Sequence, residues 1–264
     1  MRKLCGIFIA IMLSLPVFSE ARNALLIANS DYTNFKKIDT TAGEVWKLKS
    51  SLEQLGFTVT MAENCSREKM LDSLSFFERD LKEKGGIGFL FYEGHVAQIN
   101  GKSYLIPVDA DIPDERRVAT RAVDVNEAMM SMVAETNIIV LDINRTIPFS
   151  ASSKNHGLNL HTVRGLASTE IPMNSIIAYS SHLGNVVKDG LFTSVFAEKL
   201  IEKNDLLTIL REVRLDVSKQ TKTEQIPVTY ESLMQEVRLA EIKIDDVSDT
   251  LETDVSDVIE DENI

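Results

Sequence analysis

Two short runs hold residues able to do chemistry. Glu93-Gly-His95-Val96 places an imidazole directly after an apolar stretch. Asp142-Ile-Asn-Arg145 places a carboxylate and an amide after another. Histidine takes and gives protons near neutral pH, and it acts on groups within hydrogen-bond reach. A histidine at one strand end and a nucleophile at the next would sit that close. The residue 49 positions beyond His95 is Asn144. Its amide has no readily lost proton and is a poor nucleophile. A third run, Ser181-His182, follows a further apolar stretch.

Those runs need elements to hold them. Residues 23–28 and 57–61 read as strands, and 87–92, 137–142 and 175–180 as central strands, apolar almost throughout. Such runs suit a sheet covered on both faces. Between them, Val45, Leu48, Leu52 and Leu55 step at helical spacing, as do Met70, Leu74, Phe77 and Leu81 behind a Ser66 cap. Asp124 opens a helix to about Ala134, and residues 192–201 and 206–217 read as helices. Lys102-Ser-Tyr-Leu-Ile106 reads as part of a hairpin. The alternation predicts an α/β fold: a three-layer sandwich around a mostly parallel sheet of about six strands, with helices on both faces. Sites in such sheets lie beyond the carboxyl ends of the strands, where the three runs stand.

Tyr92-Glu-Gly-His95 resembles the histidine motif of the caspase-like peptidases, in particular their bacterial metacaspase-like branch. Leu141-Asp-Ile-Asn-Arg-Thr-Ile-Pro-Phe149 resembles their nucleophile motif, in which Leu-Asp-Ala-Cys-Arg precedes two residues and Pro-Phe. The His-to-nucleophile interval is similar to the family's. Asn29-Ser-Asp-Tyr32, Tyr104-Leu-Ile-Pro-Val-Asp-Ala110, Gly165-Leu-Ala167, Ile177-Ala-Tyr179, Asp189-Gly190 and Gln225-Ile-Pro227 fall in the family's order. The resemblance covers about Arg22 to Leu239. It implies a caspase-like fold and a cysteine-type endopeptidase ancestry, with no cofactor.

Two departures fall in the reactive site. Asn144 stands where the family has its nucleophilic cysteine. Val96 stands where the family has glycine, whose backbone amide helps hold the developing oxyanion; a β-branched residue resists angles that glycine permits. The resemblance also makes Asp142, two before the nucleophile position, a candidate wall of a pocket for a basic side chain, and Asp189 a second. The alternative for Asp142 is a strand-end carboxylate accepting loop amides. His95 reads either as a retained dyad histidine or as a polar residue satisfied by a neighbouring loop. Cys65 reads as a small semi-buried residue rather than a nucleophile. Ser150, Ser152 and Ser153 read as loop residues, and His156, His161 and His182 share no metal-ligand spacing.

Composition sets the frame. The chain has 264 residues, 44% hydrophobic and 26% charged, with a net charge of −12. Two cysteines, Cys5 and Cys65, build neither a disulfide framework nor a structural zinc site. The acidic balance argues against nucleic acid as partner. Residues 1–21 match a secretory signal peptide: Arg2 and Lys3, an apolar run to Phe18, then small residues at Ser19 and Ala21. That predicts export to a periplasm or the exterior and no membrane span in the mature chain. The alternative is an uncleaved anchor, for which the run is short. Residues 22–240 form the caspase-like domain. Residues 241–264 hold ten acidic residues against Lys243 and read as a solvated, disordered tail, or else as an acidic amphipathic helix for a basic partner. The expectation is an exported, catalytically inactive pseudoprotease that binds a peptide or protein partner in the strand-end cleft. The alternatives are an active endopeptidase with basic-residue preference and another nucleophile, and a structural assembly module. Oligomeric state is not legible.

Overall fold

The computed structural model describes residues 20–38, 42–99, 101–144, 172–182, 187–202 and 204–240. The elements run β1 (Arg22–Ala28), α1 (Ala42–Gln54), β2 (Thr58–Glu63), α2 (Arg67–Lys84), β3 (Ile87–Ile99) and β4 (Lys102–Leu105). They continue with α3 (Val118–Arg121), β5 (Val123–Asp124), α4 (Val125–Met130), β6 (Thr136–Asn144), β7 (Ser175–Tyr179), α5 (Leu191–Leu200), α6 (Leu206–Gln220) and β8 (Val228–Glu231).

The main sheet has the order β2-β1-β3-β6-β7-β8. Its pairs are parallel except the last, where β8 runs against β7. β4 and β5 form an antiparallel extension of the far half of β3. The expected sandwich is therefore present, with six strands in the main path.

Both faces are covered, which is why the central strands are apolar throughout. One face, with Leu26, Phe89, Phe91, Val140 and Ala178, packs under α1, α5 and α6. The other, with Leu25, Leu90, Tyr92 and Leu141, packs under α2 and α4. Each large apolar side chain so buried stabilises by about 1.5–3 kcal/mol. Helix α2 shows the link from sequence to packing. Ser66 accepts from Lys69 N, and Met70, Leu74, Phe77 and Leu81 are buried at its inner face. A third cluster joins Tyr32 and Ile38 to Tyr104, Ile106 and Val118 beyond the sheet's carboxyl edge.

Two boundaries differ from the expectation. Helix α4 stops at Met130 rather than near Ala134, and past it the Asn137 side chain bonds both N–H and C=O of Ala134 where the chain turns into β6. Strand β3 does not end at Tyr92. It runs on through Glu93-Gly-His95 to Ile99, paired first with β6 and then with β4.

Candidate active site and its carboxylate cluster

Strand alternation assembles the site. Phe89 and Phe91 of β3, and Ile138 and Val140 of β6, face the α1–α5–α6 layer. Side chains two positions on share that face. Glu93 and His95 therefore follow Phe91, and Asp142 follows Val140. The register pairs Glu93 with Asp142 and His95 with Asn144. Neighbouring strands lie about 4.8 Å apart, so the two positions expected to form a dyad are adjacent.

His95 is 1% exposed and held from several sides. Its N–H donates to Tyr32 Oη at 2.8 Å, and its carbonyl accepts from Tyr92 Oη at 2.9 Å and from Ile106 N at 3.0 Å. The Tyr32 ring lies 4.3 Å from the imidazole, centroid to centroid. Nε2 stands 2.6 Å from Lys36 O. A carbonyl only accepts, so Nε2 carries the proton in this contact. The loop thus holds the imidazole in place through one ring nitrogen. Burial pushes the Tyr32 and Tyr92 phenols far up, so both stay neutral. Gly94 makes the arrangement possible. A Cβ there would stand 2.5 Å from Tyr92 Oη and 2.6 Å from Tyr32 Oη.

Beside the histidine the sheet carries buried acids. Asp142 is 3% exposed and accepts from Thr193 Oγ1 at 2.7 Å and from Ser180. Burial pushes its carboxyl up. Glu93 is 4% exposed, and no hydrogen bond reaches its carboxyl among the described residues. Burial, then the charges of Asp142, Glu44 and Asp189, push it up to about 9. Glu44 lies in the first turn of α1, and Asp189 just precedes α5. Helix N-termini favour such charge. The left-handed Gly190 lets the start of α5 approach, since a Cβ there would stand 2.6 Å from the Glu44 carboxyl carbon. Gln225 fixes that approach: its Nε2 donates to Ser180 O and its Oε1 accepts from Lys188 N, both at 2.9 Å.

The scan against family models finds the caspase domain over residues 21–238. The chain belongs to the caspase domain family. It is 27% identical over 206 residues to the human mucosa-associated lymphoid tissue lymphoma translocation protein 1, covering 74% of this chain and 24% of that protein. The mouse homologue matches at 27% over 206 residues, with 74% of this chain and 23% of that protein covered. The chain thus spans about a quarter of the length of these relatives.

Placed on the caspase domain, His95 and position 144 come together, and Asp142 and Asp189 lie close enough to act on one another's charge. Val96 sits in ordinary strand geometry, paired with Leu105, without positive φ. Cys65 is fully buried on the opposite core face with its thiol pushed up by burial, which opposes thiolate formation. His182 is exposed, its N–H bonded to Ile226 O at 2.7 Å. No group of three or more His, Cys, Asp or Glu among the described residues is placed to hold a metal ion. No helix among them is long and apolar enough to cross a membrane. Ser150, Ser152, Ser153, His156, His161, the 165–167 landmark, residues 1–19 of the expected signal segment and residues 241–264 lie outside the described residues. Sequence reasoning missed Glu93, Glu44, Thr193 and the Lys36 carbonyl. For Glu93 the signal was present, in its two-residue spacing from His95 within an apolar strand.

Proposed function

We infer that this caspase domain binds peptide or protein segments bearing a basic side chain in its strand-end cleft, and does not cut them. The observation that carries the reading is Asn144 in register with His95. The histidine keeps its position, but the residue in register with it has no thiol to give it a proton. Loss of a nucleophile typically costs several orders of magnitude in rate. Cys65 offers no substitute, being buried in the other core layer. Val96 in the place of glycine further supports loss of oxyanion stabilisation. The carboxylates of Asp142, Asp189, Glu44 and Glu93 supply the attraction for a guanidinium or ammonium group. The N-terminal segment would direct export, so the partner would be met outside the cytoplasm.

The test is a covalent one. The purified protein is incubated with an arginine-ending peptide carrying a thiol- and hydroxyl-reactive warhead, then weighed by mass spectrometry. The reading expects no adduct. An adduct on Cys65 or on a serine, lost in His95→Ala, would replace it with an active peptidase using another nucleophile.

A further inference from the structure

Glu93 has no role in the account so far beyond adding charge, yet its setting is unusual. It is a glutamate inside a paired strand, 4% exposed, side by side with the buried Asp142 on the next strand. Glu93 lines a cavity of about 50 Å³ with Ser30, Val45, Met61, Glu63 and Asn64, room for a few water molecules. From α1 comes Glu44, whose Oε2 is itself buried without a hydrogen-bond partner. From the turn before α5 comes Asp189, and from β2 comes Glu63. The loop after β1 contributes the neutral Tyr32, while Lys37 there pairs with Asp31 at the surface. His95 lies two residues along the same strand. Among the described residues, the charges acting on Glu93 are those of Asp142, Glu44 and Asp189, all of one sign. A carboxyl out of water and beside like charges resists ionisation.

We propose that Glu93 couples cation uptake to proton release: it is protonated in the empty cleft and ionises when a guanidinium or ammonium side chain enters. The step balances simply. The entering side chain brings one positive charge, the Glu93 O–H bond breaks, its electron pair stays on the carboxylate, and the proton passes to solvent. The cleft's net charge is unchanged while two like-charged neighbours gain a counter-ion. Glu93 is then a specificity-determining residue, favouring cationic over neutral side chains and doing so more strongly as pH rises. This rests on the basic-pocket reading above.

The experiment is calorimetric titration of the full chain with acetyl-Ala-Ala-Ala-Arg-amide, in two buffers of different ionisation enthalpy, across the range from about pH 6 to 9. The wild type should release about one proton more per peptide than Glu93→Gln, and its affinity should rise toward about tenfold per pH unit below the Glu93 midpoint. Glu93→Gln keeps the shape of the protonated acid. Its affinity should change less with pH, and the gap between the two proteins should widen as pH rises. Equal proton release by the two proteins overturns the role of Glu93 and leaves the basic pocket standing. If the arginine peptide binds no better than its citrulline counterpart at any pH, the pocket reading falls and the coupling falls with it. A merely structural Glu93 would alter affinity without altering the proton count.

Discussion

Replacing Glu93 by glutamine should stabilise this domain at neutral pH, and by an amount that grows with pH. The native fold holds the carboxyl at about 9, against an ordinary value of 4.5. Between those limits the unfolded chain has lost a proton that the native state keeps. Stability is therefore fully present below about pH 4.5 and falls as pH rises toward about 9, with a slope near 1.4 kcal/mol per unit. At pH 7 the wild type should have lost about 3 kcal/mol that Glu93→Gln retains. In a domain of this size that is roughly 6–12 °C in melting temperature. Asp142 is raised too and is present in both proteins. Urea unfolding of both proteins at steps from about pH 5 to 8 measures the gap directly. Curves that stay parallel across that range would refute the buried, proton-holding carboxyl.

Three further outcomes follow from the same geometry. Tyr32→Phe removes the acceptor of the His95 N–H at 2.8 Å and should cost about 1–3 kcal/mol in urea unfolding. Gly94→Ala places a methyl against two phenol oxygens and should cost at least as much; Tyr32→Phe in that background should cost less than it does alone, because the contact at 2.6 Å is shared. Asn144→Cys puts a cysteine in register with His95, so iodoacetamide should alkylate it near neutral pH faster than free cysteine and slower once His95→Ala is added. Cleavage of an arginine peptide should need Val96→Gly as well, and turnover by Asn144→Cys alone would contradict a role for Val96.

Much of the sheet was legible because burial on both faces writes itself as unbroken apolar runs. Residues 23–28, 137–142 and 175–180 show this, and the Ser66 cap marked the start of α2. The second half of β3 was not legible. Glu-Gly-His reads as loop, since hydropathy cannot foresee a strand whose buried positions are an acid and an imidazole. The adjacency of His95 and position 144 followed from strand ends and motif order. Its support did not, because the acceptor is the backbone carbonyl of Lys36 and any residue type supplies one. Glu44 was hidden for another reason. An acid in the first turn of a helix is expected for the helix alone, and only packing against Gly190 shows that it belongs to the cleft.

The deciding sample is the full chain with a fluorescent arginine peptide and its neutral citrulline counterpart, read by anisotropy and then by mass spectrometry. The arginine peptide should bind at least about tenfold tighter, as a charge-assisted contact requires, and both peptides should be recovered intact. A shortened arginine peptide, or equal affinity for the two, would contradict binding without cleavage in an acidic pocket.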